Sequence, residues 1–233
     1  EVLNLNSNKI TNLDGIDKLD KLKDLTLSSN NIEDISLLST LENLESLYLI
    51  DNNINSIEAI KNLVNLKELN LSGNKIKDIS SLETLINLEK LYINGEYTGP
   101  YEKPNPNGNS VSDISALKNL SKLEVLYLQD LVYIEDLSPL KDLTNLKSLI
   151  LRGNKIEDIS PLKNLTNLEV LYLYKNNLSD ISALANMTKM KELNLAVNKI
   201  KDTASLKNMH NLKDLKVDSN EVPDLSPVKD CKV

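Results

Sequence analysis

"LNLSGNKIKDISSLETLINLEK", residues 69–90, returns as "LILRGNKIEDISPLKNLTNLEV" at residues 149–170. Both fit L-x-L-x-x-N-x-I-x-D-I-S-x-L-x-x-L-x-N-L-x-x, a unit of 22 residues. Its asparagine recurs at Asn8, Asn30, Asn52, Asn74, Asn109, Asn154, Asn176, Asn198 and Asn220. Most intervals are 22, but 35 residues separate Asn74 from Asn109 and 45 separate Asn109 from Asn154. The longer gap holds a further copy with Leu131 in the asparagine place and one extra residue. Self-similarity at a fixed short period predicts a stacked array.

Each consensus residue has a physical reason. L-x-L alternates with period two, which predicts a short strand with its leucines inward and x outward. Ten such strands, from Leu3–Leu5 to Leu215–Val217, would stack in parallel at about 4.8 Å. The asparagine amide both donates and accepts, so a column of them can satisfy backbone groups orphaned by a tight buried turn. D-I-S supplies side-chain caps, and Ser-Pro at 138–139, 160–161 and 226–227 is a helix-start signature. The short return path predicts a 3₁₀ turn in each coil. No coil buries its leucines alone; stacking does. The reading is an α/β solenoid of the leucine-rich repeat type, with about ten coils and strands on the concave face.

Composition limits the alternatives. The 233 residues carry a net charge of −7 with acid and base interspersed, so no basic stripe awaits nucleic acid. No apolar run approaches the roughly 18 residues of a membrane span. Cys231 is the only cysteine, so no internal disulfide can form. Residue 1 lies directly before a strand and the last coil stops half-made, which leads us to expect a fragment lacking both end caps. Residues 1–233 are otherwise one repeat domain.

With these residues in view, N-x-I-x-D-I-S-x-L-x-x-L-x-N-L at period 22, with S-P-L-K-N-L-T-N-L at 160–168, resembles the bacterial internalin repeat. The resemblance implies a curved right-handed solenoid, on the cell surface or secreted, whose concave face grips a protein, often a host protein. The second class is an intracellular scaffold of 22-residue repeats, such as a phosphatase regulatory subunit, which would be cytoplasmic.

Function is expected on the outward strand positions. The central column reads Asn4, Thr26, Tyr48, Asn70, Tyr92, Tyr127, Ile150, Tyr172, Asn194, Lys216. The next reads Asn6, Ser28, Ile50, Ser72, Asn94, Gln129, Arg152, Tyr174, Ala196, Asp218. Five of the eight tyrosines project from these columns, in the middle coils, within a polar surround. Grouped exposed aromatics with a polar rim are the composition of a recognition surface. The competing explanation is that tyrosine favours strands and stacks from coil to coil.

"NGEYTGPYEKPNPNGN", residues 94–109, breaks the period. Removing residues 96–108 restores a regular repeat, so thirteen residues are inserted at the turn leaving the outward strand. Its prolines stiffen the insertion and exclude a regular strand. Tyr97 and Tyr101 would stand at the rim of the tyrosine face, where loops on a rigid scaffold commonly bind. One coil on, Leu131 and the extra residue should push Val132 or Tyr133 outward. Either Tyr97 or Tyr101 packs on that bulge, or the bulge is itself a contact.

Candidates for chemistry are few. His210 has no ligand-spaced cysteine or carboxylate and reads as a surface histidine. Asp34, Asp78, Asp113, Asp136, Asp158, Asp180, Asp202 and Asp224 form a column, but calcium sites gather several oxygens from one loop. These arrive one per coil, so the column reads as turn caps. The N-L-S and N-L-T triplets at Asn70, Asn119, Asn164 and Asn177 are by-products of the repeat. No nucleophile has a base beside it. We expect no enzyme activity, no metal and no cofactor.

Overall fold

The computed structural model describes residues 1–95, 97–98, 103–104 and 108–229. Cys231 and Tyr101 lie outside these, as does the side chain of Tyr97. Ten strands form one parallel sheet in chain order, each coil beside the next. They are Val2–Asn4, Asp24–Thr26, Ser46–Tyr48, Glu68–Asn70, Lys90–Tyr92, Val125–Tyr127, Ser148–Ile150, Val170–Tyr172, Glu192–Asn194 and Asp214–Lys216, which define coils 1 to 10. Each coil then turns through a 3₁₀ segment of three to five residues, such as Ser80–Thr84 or Ser138–Leu140. The result is a right-handed leucine-rich repeat solenoid with its strands on the concave face.

The strands begin one residue earlier than L-x-L suggests, because the preceding residue also pairs. Register is one-to-one throughout: Leu47 faces Leu69, which faces Leu91, then Leu126, Leu149 and Leu171. Inward leucines and isoleucines therefore stack on their own kind, and from coil 2 to coil 9 nearly all are fully buried. At the ends, Val2 and Leu225 are largely exposed.

The asparagine column works as the amide chemistry requires. Asn74 Nδ2 donates to the carbonyls of Leu71 at 3.0 Å and of Leu49, in the preceding coil, at 2.8 Å. Its Oδ1 accepts from the Ile54 amide at 3.0 Å. Asn52 and Asn176 repeat the pattern, and Asn109 keeps it across the insertion, accepting from Ile76 at 2.9 Å. The residue before this asparagine is left-handed in most coils, with φ of 56° at Ser29, 66° at Gly73 and 68° at Gly153. A second ladder runs along the other side. The asparagine of x-N-L donates to a carbonyl one coil back, as Asn65 does to Glu42 and Asn167 to Thr144.

The D-I-S carboxylates cap the turns, accepting from the amide two residues on: Asp34 from Ser36 and Asp158 from Ser160, at 2.8 and 2.7 Å. Those bonds hold the carboxyls of Asp34, Asp113 and Asp180 below the usual aspartate range, and at Asp224 the Ser226 hydroxyl does so ahead of the amide.

Coil 6 interrupts the asparagine ladder. Leu131 fills the place and is fully buried. The amides of Val111 and Ile134, donors to an asparagine oxygen in other coils, have no such acceptor, and Asn154 Oδ1 is buried without a partner among the described residues. Val132, the extra residue, takes a left-handed φ of 72°, and Tyr133 is turned outward, half exposed, beside the Lys155 ammonium.

The insertion corrects one expectation. It does contain a strand pair, Tyr97–Thr98 antiparallel to Lys103–Pro104. Pro104 is tolerated because a two-residue pair of edge strands has few amides to lose. The root of the insertion is tight: a Cβ on Gly95 would lie 2.1 Å from the Asp130 carbonyl oxygen, so only glycine fits.

Candidate functional site

Parallel register converts the outward positions into three columns along one face. Tyr92 pairs with Tyr127, Tyr127 with Ile150 and Ile150 with Tyr172. Four consecutive coils, 5 to 8, thus bring Tyr92, Tyr127, Ile150 and Tyr172 into a line, with Arg152 and Tyr174 in the adjoining column. Tyr48 and Ile50 stand on coil 3, separated from this line by Asn70 and Ser72 of coil 4, and form a smaller outlying pair. Each of these tyrosines is half-buried by its neighbours. Ile150 is only 9% exposed between Tyr127 and Tyr172, so it is a floor rather than a contact surface.

Tyr48, Tyr127 and Tyr172 reach toward the first strand residue of the next coil, and what stands there differs along the array. The Tyr172 hydroxyl donates to Glu192 at 2.6 Å, and Glu68 holds the equivalent position next to Tyr48. Accepting carboxylates and burial disfavour the phenolate: the Tyr172 hydroxyl is pushed up to about 12, chiefly by its bond to Glu192. Tyr48 is also pushed up to about 12, chiefly by burial and then by Glu68. At coils 5 and 6 the carboxylate is missing. Tyr92 has Val125 in that position, and Tyr127 has Ser148, whose hydroxyl donates to the Tyr127 oxygen at 3.3 Å. Tyr92 instead packs against Tyr127 edge to face, centroids 5.0 Å apart at 90°. Burial raises the Tyr92 hydroxyl above its usual range, and that hydroxyl has no hydrogen-bond partner among the described residues.

The first-residue column was not anticipated as part of this face. It reads Val2, Asp24, Ser46, Glu68, Lys90, Val125, Ser148, Val170, Glu192, Asp214. It is charged in coils 2, 4, 5, 9 and 10 but uncharged in coils 6 to 8, beside the tyrosines. Extending the period-two alternation one residue toward the N-terminus would have found it.

Arg152 is held rather than offered. Its Nε donates to both carboxylate oxygens of Asp130, at 3.2 and 3.1 Å, and its guanidinium lies 5.9 Å from the Tyr174 ring centroid. Asp130 is almost wholly buried, and its backbone is the surface against which Gly95 fits. Gly95, Asp130, Arg152 and Tyr174 therefore form a braced ledge from the root of the insertion across coils 5 to 8. The expected docking of Tyr97 or Tyr101 on the Leu131–Tyr133 bulge lies outside the described residues.

His210 is exposed. Among the described residues, no three His, Cys, Asp or Glu side chains are grouped to hold a metal ion, and no helix is long and apolar enough to cross a membrane. Open grooves do occur between neighbouring 3₁₀ turns, one of about 620 Å³ between Asp113 and Asp142.

A family model described as leucine-rich repeats (two copies) matches residues 42–84, 64–98 and 144–186. The crystal structure of the internalin InlF from Listeria monocytogenes superposes with a TM-score of 0.90 at 38% identity, over 98% of this chain. The chain is an internalin-like leucine-rich repeat protein. It spans 64% of that internalin's length. Internalin C2 of the same organism is similar over 90% of this chain and 78% of its own, at 29% identity and a TM-score of 0.59. A leucine-rich repeat protein of Leptospira interrogans aligns over 98% of this internalin-like chain and 64% of its own, with 25% identity and a TM-score of 0.74. No curated protein sequence matches the chain.

Proposed function

We propose that this chain is the protein-binding module of a bacterial surface or secreted protein, gripping its partner through the tyrosine face of coils 5 to 8 with the inserted loop at the rim. The observation that carries the reading is the grouping of Tyr92, Tyr127, Tyr172 and Tyr174, half-exposed, on one stretch of sheet. Coils 1, 2, 9 and 10 hold Asn4, Thr26, Asn194 and Lys216 at the central position and stack equally well, so the fold does not require an aromatic there. Clustered tyrosines on a rigid surface supply large contact area at small entropic cost and dominate hot spots. The internalin likeness supports the cellular setting.

Tyr48, Ile50, Arg152, Tyr97 and Tyr101 extend the proposed contact: the first two as an outlying pair, Arg152 as a brace for Tyr174, and the last two from the loop. The test is affinity capture of extracellular host protein by the wild-type chain and by a Tyr92→Ser, Tyr127→Ser, Tyr172→Ser variant. A partner retained by the wild type and lost by the variant supports the reading. Equal retention by both would move the contact off this face.

A further inference from the structure

Building on that reading, we infer that the partner anchors itself here with uncharged apolar side chains, and that binding is nearly independent of salt. Two observations carry this. The first is the apolar strip itself: Val125 and Val170 flank Tyr92, Tyr127 and Tyr172 over the buried floor of Ile150. Three coil spacings by one pair of strand residues, from the Val125 column to the Tyr127 column, give a patch of roughly 14 by 7 Å. That is room for one or two inserted side chains, the size of a hot-spot centre.

The second is that the charges around the strip, Glu89 excepted, are already matched within the chain. Lys90 pairs with Glu68 at 3.0 Å, Lys147 with Glu124 at 2.8 Å, and Lys191 with Glu169 at 2.6 Å. Arg152 is paired with Asp130, and Glu192 accepts from Tyr172. A charged anchor entering the strip would lose water and find no counter-charge that is not already engaged, which is unfavourable. Glu89, in the same margin column as Glu124 and Lys147, has no ion pair among the described residues, and like them it stands beside the strip rather than in it. At the centre the Tyr92 hydroxyl has no hydrogen-bond partner among the described residues, which suits an uncharged acceptor such as a backbone carbonyl. The anchor is therefore an apolar or aromatic segment of the partner, not a basic or acidic one.

The test uses the 233-residue chain and a random peptide phage library. Peptides are selected on the wild type, and dissociation constants are then measured by fluorescence anisotropy at about 0.05 M and about 0.5 M NaCl. The expected consensus is apolar or aromatic without net charge. Affinity should change less than about twofold between the two salts and fall at least about tenfold for Val170→Lys. A charged consensus with a steep salt dependence overturns the inference, as does an apolar consensus indifferent to Val170→Lys. Peptides lost with Tyr127→Ser but kept by Val170→Lys would sink the inference and leave the tyrosine face standing. Peptides indifferent to both variants, or no enrichment at all, would remove both. Circular dichroism of Val170→Lys guards against a folding defect, and Val170→Ala, which cannot introduce a charge, should weaken binding less than Val170→Lys.

Discussion

Replacing Asn74 by Ala removes one asparagine from the middle of the ladder, and the structure dictates the consequences atom by atom. Oδ1 loses the Ile54 amide, and Nδ2 loses the carbonyls of Leu49 and Leu71. The two carbonyls are not stranded. Leu49 still receives Asn52 Nδ2 at 3.2 Å, and Leu71 still receives Asn109 Nδ2 at 2.9 Å. The Ile54 amide has no second acceptor and lies in the fully buried interior. An orphaned buried donor costs about 1–3 kcal/mol, and two lost bonds to carbonyls that keep a partner add about 0.5–1 each, so the expected loss is roughly 2–5 kcal/mol. Asn94→Ala is the control. Asn94 Oδ1 accepts one long bond, 3.3 Å, from the Gln129 amide at a half-exposed site, where water can replace it. Its cost should stay below about 1 kcal/mol. Equilibrium urea unfolding reads both, with the denaturant slope unchanged. Equal midpoints for Asn74→Ala and Asn94→Ala would refute the assignment of inward and outward positions.

Four further outcomes follow from named contacts. Tyr92→Ser and Tyr127→Ser, in a double-mutant cycle, should show a coupling of about 0.5–1.5 kcal/mol from their edge-to-face contact. Additivity would mean the rings are independent. Gly95→Ala drives a Cβ into the Asp130 carbonyl and should lower stability by about 1–3 kcal/mol, whereas a neutral result would contradict the close approach. Joining Gly95 to Asn109 should preserve the strand register, because Asn109 already bonds to Leu71 and Ile76 as though no insertion intervened. The sign of the change in unfolding temperature then tells a free loop, whose removal stabilises slightly, from a docked one. On acidification, Glu45 is held to about 2 by Lys23 and Lys67, and the capping aspartates are also depressed. Depressed carboxylates contribute stability that is intact above their ordinary values of 4.5 and 3.8 and is lost as pH falls toward about 2. An unfolding midpoint flat across that window would contradict this.

The array was legible in the sequence because its period fixes strand, turn and asparagine together. Asn74, Leu71 and Asp78 each need the same neighbours one coil away, so reading one coil reads them all. The central tyrosine line was legible for the same reason, since parallel register turns a position in the repeat into a column in space. Four features were not. Val125, Ser148 and Val170 were overlooked because pairing extends one residue before the leucine. The burial of Ile150 depends on the two tyrosines that happen to flank it, which no single repeat encodes. The Asp130–Arg152 brace joins residues in successive coils whose types are set by no consensus. The strand pair at Tyr97–Thr98 was missed because the prolines were weighed and the edge position was not.

Hydrogen exchange of a complex tests the central claim most directly. With a captured partner or selected peptide bound, the account predicts slowed exchange at residues 90–95, 125–130, 148–152 and 170–174, on the outward strands of coils 5 to 8. The 3₁₀ turns Ser115–Asn119 and Ser160–Asn164, on the opposite side of the same coils, should be unchanged. Protection confined to those turns, with the strand residues unaffected, would contradict it.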